Sequence, residues 1–154
     1  MFNESDGGLA SDSKDGNNGK IYGDTRLLMH FDEGAGNPQD NSSYDNDGTI
    51  NSATWTGSGC QSGSCLSFDG NDYVTISDNP SLKPNNITIE AWVKGQFSGG
   101  DTIINKGSTS GGDGKNGWSL RINAVNKIEA VLYTGTNTET ILTGTTTLQN
   151  GIWY

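Results

Sequence analysis

The chain has 154 residues, 31% of them hydrophobic and 23 of them glycine, which suits one all-β core with a tail and leaves too little for two ordinary domains. Nine Lys and Arg against eighteen Asp and Glu give a net charge of -9, which works against a nucleic-acid surface and against an anionic membrane, since both need clustered cations. No run approaches the roughly 20 apolar residues of a membrane span, and residues 1–19 hold no hydrophobic signal-peptide core, so neither membrane insertion nor a signal peptide is readable.

Residues 1–24 combine Asn, Asp, Gly, Ser and Lys without apolar periodicity and read as a flexible polar arm. Residues 25–154 form the domain, because short apolar runs with a period of two begin at Thr25 and no helix of normal length is readable. In LLMHF, residues 27–31, Leu27, Met29 and Phe31 share one face of an expected strand, which Gly34, Gly36 and Pro38 then end. A polar loop follows over 40–48. Trp55 sits in a polar stretch and is open to a core or a ligand-binding reading.

Cys60 and Cys65 lie in GCQSGSC, residues 59–65, where glycine and serine leave freedom to close a small ring. A local disulfide is the favoured reading over free thiols or a metal half-site; it would contribute about 2 kcal/mol and imply an oxidising compartment. Residues 66–68 and 73–76 flank Asp69, Gly70 and Asn71, a turn chemistry that predicts a hairpin between them. ITIEAWVK, residues 87–94, is the clearest strand, with Ile87, Ile89, Ala91 and Val93 on the core side and Thr88, Glu90, Trp92 and Lys94 opposite. Further strands are expected at 102–104, 117–122, 127–133 and 140–143, with a long Gly/Ser-rich loop over 106–117. Many short strands at regular spacing predict an antiparallel sandwich.

Four motifs carry a family resemblance in order. LMHFDEGAG (28–36) with DNSSYDNDGT (40–49), CLSFDGNDYV (65–74), ITIEAWVK (87–94), and INKG (104–107) with GWSLRI (117–122) together resemble the laminin-G-like modules of the concanavalin A-like lectin/glucanase superfamily. The resemblance implies an all-β antiparallel jelly-roll β-sandwich that is incomplete at the C-terminus. In that family GIWY, residues 151–154, leads into an HVA strand and several more, so a fragment, a chain completed by a partner and a shortened variant all stand as explanations. Trp153 and Tyr154 would be buried in a complete domain.

Catalysis is not expected. The glucanase branch carries two glutamates at close strand spacing, because retaining hydrolysis needs carboxyls about 5 Å apart, whereas the five glutamates here, at 4, 33, 90, 129 and 139, form no such pair. His30 is the single histidine and lacks a nucleophile motif beside it. A structural calcium is the better chemical reading: Asp40, Asp45 and Asp47 offer carboxylates in one glycine-ended loop, with Asp69 in the next turn. Asx-turns are the equal alternative for the same residues.

For a glycan ligand, strand parity puts Trp92 and Tyr133 opposite apolar sets, with Arg121 and Glu129 sharing Tyr133's side, so aromatic rings would stand beside charged hydrogen-bonding groups. The alternative for Trp92 is cover by a loop or the opposite layer. Trp118 shares parity with Leu120 and Ile122 and is read as core. The resemblance implies a non-catalytic carbohydrate-binding or adhesion module of a larger secreted, cell-surface or phage protein, with a glycan or surface polysaccharide as partner. A structural spacer whose edges pair with other protein chains is the second reading.

Overall fold

A computed structural model of the chain describes residues 9–10, 19–20, 24–107, 115–135 and 138–154. Most of the expected polar arm and residues 108–114 of the expected long loop lie outside that set. The ladders are all antiparallel, the one helical element is a 3-10 turn, and no helix is long and apolar enough to cross a membrane among the described residues. The all-β antiparallel expectation therefore holds. The chain divides into two compact units, residues 1–57 with 64–77, and residues 58–63 with 78–154.

In the first unit, β1 (Leu9–Ala10) pairs with β2 (Gly19–Lys20), β3 (Gly48–Asn51) with β6 (Tyr73–Ile76), and β4 (Thr54–Thr56) with β5 (Cys65–Ser67). The turn predicted at 69–71 does not close a hairpin. β5 and β6 flank it but each pairs with a different strand, so that Ser52 and Ala53 on one arm lie across from Phe68 to Asp72 on the other. Gly70, at φ 118, serves an insertion in a long irregular ribbon rather than its end. Residues 57–64 join β4 to β5, and Cys60 of this loop is disulfide-bonded to Cys65, the first residue of β5. Gly48 is required where β3 meets β6, because a Cβ there would lie 2.6 Å from Val74 Cγ1.

The strand predicted at 27–31 keeps its parity but forms no ladder. Leu27, Met29 and Phe31 are half-buried while Leu28 and His30 are exposed. Its ladder bonds are replaced: Leu28 N donates to Asp40 Oδ1 (2.8 Å), Asn41 N donates to Leu28 O (2.8 Å), and one bridge joins Met29 to Asp40. Phe31, at φ 54, then leaves the extended region.

The second unit is built on a four-stranded sheet in the order β10-β9-β8-β7: β7 (Thr102–Lys106), β8 (Lys115–Ile122), β9 (Lys127–Gly135) and β10 (Thr138–Thr147). These match the four strands expected there. Asn123 shapes the β8–β9 turn, its Oδ1 accepting from Val125 N and Lys127 N (both 3.0 Å), and Asn126 takes φ 57. Ile122 (1% exposed), Phe97 and Leu148 form the core, with Ile103, Ile128 and Tyr154 packed on it. Trp118 is buried as expected, its Nε1 donating to Leu82 O at 3.1 Å from a single 3-10 turn, Pro80–Leu82, capped by Asn79. β9 departs from simple parity: Val131, on Tyr133's side, is fully buried, while Leu132 is 41% exposed.

The segment expected as the clearest strand, 87–94, belongs to no ladder. Its alternation is nonetheless real, with Ile87, Ile89 and Val93 half-buried and Thr88, Glu90, Trp92 and Lys94 exposed; Ala91 is also exposed. Its backbone meets the chain through one reciprocal pair, Val93 N to Tyr154 O and Tyr154 N to Val93 O, both 3.0 Å. Alternation reports which side is covered; a ladder needs several paired residues, and among the described residues this segment forms one such pair.

Candidate functional site

The β8–β9–β10 register lines Arg121, Glu129 and Thr143 in one row, and paired residues of an antiparallel sheet share a face. Glu129 gathers this row: its Oε1 accepts from Asn123 Nδ2 (2.9 Å) and Thr143 Oγ1 (3.3 Å), and its Oε2 accepts from Arg121 Nε (2.9 Å). The hydrogen bonds from Asn123 and Arg121 hold its carboxyl below the ordinary glutamate range. Tyr133 stands on the same face, its ring laid against Gly117, where a Cβ would come within 2.8 Å of Tyr133 Cδ2 and 2.7 Å of Lys106 O. Ser119 and Val131, between Tyr133 and the Glu129 row, are buried. The sheet thus brings Arg121 and Tyr133 to one face without joining them in one open surface, and the Arg121 guanidinium is committed to Glu129.

Trp55, in the first unit, is half-buried and its Nε1 donates to Gly36 O at 2.9 Å. Trp92 differs from every other tryptophan in being 65% exposed. It stands in the middle of an exposed row, Glu90, Trp92 and Lys94, set by the alternation of the segment. The Val93–Tyr154 pair brings Lys94 beside Trp153, where Lys94 Nζ lies 5.1 Å from the indole centroid. Gly59 O accepts from both side chains, from Trp153 Nε1 at 3.2 Å and from Lys94 Nζ. A free aromatic face on a row shared with Glu90 and Lys94 can stack on a sugar ring.

Sequence reasoning singled out Trp92 and placed Lys94 on its side, but missed that Lys94 meets Trp153. Lys94 was legible, since it shares Trp92's parity. The contact with Trp153 depends on a backbone pairing that no local pattern announces.

The four aspartates do not assemble. Both oxygens of Asp40 are taken: Oδ1 accepts from Leu28 N (2.8 Å) and Ser42 N (2.9 Å), Oδ2 from Asn46 N and Ser42 Oγ (both 2.8 Å). Asp47 Oδ1 accepts from Asp40 N at 2.8 Å, Asp45 sits at φ 51 in the same loop, and Asp69 lies exposed in the 68–72 insertion. Among the described residues no three His, Cys, Asp or Glu side chains are grouped to hold a metal ion. N–H donors occupy Asp40 where a calcium ion would need bare oxygens, so these residues do not fit the expected cation. A thermal scan in calcium against chelator is expected to give the same unfolding midpoint, and a rise with calcium would place a cation in the loop.

Residues 68–154 match the family described as the concanavalin A-like lectin/glucanases superfamily. No curated protein matches the sequence significantly. Among solved structures, an S-layer domain-containing protein from Clostridium thermocellum is similar, with a TM-score of 0.64, 24% sequence identity and 82% of the present chain covered. The chain spans 60% of that structure's length.

Proposed function

The chain belongs to the concanavalin A-like lectin/glucanases superfamily, and from that premise we propose that it is a non-catalytic carbohydrate-binding or adhesion module of a larger secreted, cell-surface or phage protein. The observation that carries this reading is Trp92, a large aromatic ring left 65% exposed on a row with Glu90 and Lys94. Burying an indole contributes a few kcal/mol, a gain that Trp92 does not draw from the core and that a partner covering it would supply. Pyranose rings present an apolar face that suits the role.

Two further observations support a binding module outside the cell. The Cys60–Cys65 disulfide suits an oxidising compartment, and the similar solved protein bears an S-layer domain. Of the glutamates, Glu129 is held by three side chains, and the sequence offers no close carboxylate pair for hydrolysis.

Affinity electrophoresis through gels containing a panel of bacterial and plant polysaccharides, run beside an assay for reducing ends, tests the reading. Retardation by at least one polysaccharide without release of reducing sugar is expected. Free migration through the whole panel would sink the glycan reading and leave a structural spacer, while sugar release would overturn its non-catalytic part.

A further inference from the structure

β10 ends the sheet order, and all ten of its residues are exposed. Its backbone pairs with β9 on one side and has no strand partner on the other among the described residues. Natural sheets shield such edges with lysine, proline or very short strands, because a bare edge templates another strand. β10 reads TETILTGTTT: it is long, has neither lysine nor proline, and is rich in β-branched residues. Register irregularities lie between Thr138 and Glu139 and between Thr143 and Thr147, and they leave residues 139–143 in regular pairing.

Charge selects the occupant. The chain carries -9 overall, yet β10 holds one charged residue, Glu139, so two copies can approach along this strand with little repulsion. Apolar exposure points the same way, with Leu142 70% and Ile141 41% exposed, and with Leu132 of β9, 41% exposed, on the same face as Leu142. The sheet face then restricts the register. A two-fold axis perpendicular to the sheet keeps the Leu132–Leu142 face of both copies on one side, which requires that residues facing each other across the new edge share parity. Centring the axis on Leu142 sets Leu142 against its own copy and Ile141 against Thr143, within the regular stretch, and holds the two Glu139 residues apart.

We propose that β10 is an association edge across which a second copy of this chain adds its own β10 antiparallel, with Leu142 facing Leu142, joining two four-stranded sheets into one. The proposal is independent of glycan binding, because Trp92 lies on a different segment of the unit.

Sedimentation equilibrium of the whole chain is expected to show a mass rising with concentration from 16.3 kDa toward twice that value. Leu142→Lys, which would oppose two ammonium groups, is expected to hold the monomer mass with an unchanged far-ultraviolet circular dichroism spectrum. The register is read by cysteine cross-linking, since directly opposed strand residues lie within disulfide reach. Leu142→Cys is expected to oxidise to a covalent dimer about tenfold faster than Thr140→Cys, which lies two residues from the axis and so away from its own copy. A chain that stays monomeric at every concentration, a dimer indifferent to Leu142→Lys, or equal cross-linking of the two cysteine variants would each overturn the proposal.

Discussion

Replacing Asp40 with alanine is expected to lower the stability of the first unit by about 4 kcal/mol, because three backbone N–H groups and a hydroxyl lose a charged acceptor at once. Asp40 is 7% exposed, and its carboxylate ties Leu28, Ser42 and Asn46 into one knot. Asn46, in turn, donates its Nδ2 to Arg26 O at 2.8 Å, so the knot also fixes the entry of the 27–31 segment. Burial pushes the Asp40 carboxyl upward, but the hydrogen bonds from Leu28, Ser42 and Asn46 outweigh it and hold the group below the ordinary 3.8. A depressed folded pKa means that the unfolded chain binds the proton more readily. The contribution of Asp40 is therefore complete above the unfolded value of 3.8 and is lost as pH falls through the lower folded value. Chemical denaturation across pH 2 to 6 measures both effects. Asp40→Asn should be destabilised and should lack this part of the acid loss; stability equal to wild type in either variant would show that the knot contributes little.

Ile122→Ala is expected to cost the second unit about 3 kcal/mol, a cavity cost for a side chain that cannot be replaced by water. Ile122 is 1% exposed and packs with Phe97 and Leu148, the latter bonded back to the β8–β9 turn through Leu148 N to Asn126 O at 2.7 Å. Val125→Ala, in the same turn but 64% exposed, is expected to change stability by no more than about 0.5 kcal/mol. Equal effects from the two substitutions would remove Ile122 from the centre of the core.

The difference between these two positions was legible in the sequence, because GWSLRI alternates and Val125 falls in a turn. β8 was readable for that reason, whereas β7, β9 and β10 were marked by β-branched and apolar runs between turn residues rather than by clean alternation. The turn at 69–71 misled because Asp-Gly chemistry specifies a positive φ at Gly70, and says nothing of which strands then pair. The β4–β5 connection, residues 57–64, carries two Ser-Gly turn dipeptides, but these drew less notice than the cysteines beside them. Residues 87–94 show the converse. Their alternation correctly gave the exposed side, including Trp92, while strand pairing depends on distant backbone.

The aspartates allowed two readings for a related reason. Asp next to Ser, Asn and Gly is the composition of both a calcium loop and an Asx-turn, and only the direction of the N–H groups around Asp40 separates the two. Arg121 and Glu129 were correctly placed on one face, but the sequence offered no hint that Asn123 and Thr143 would complete their pairing. The Lys94–Trp153–Gly59 cluster lay beyond reading altogether, since its three members come from three segments.

The most direct test of the binding surface is Trp92→Ala, titrated against the polysaccharide that retards the wild-type chain most strongly. Removing a central tryptophan contact is expected to cost about 2 kcal/mol, roughly a 30-fold weaker Kd, with the unfolding midpoint unchanged because the ring is exposed. An affinity equal to wild type would contradict the assignment of the Trp92 row as the surface that meets the glycan.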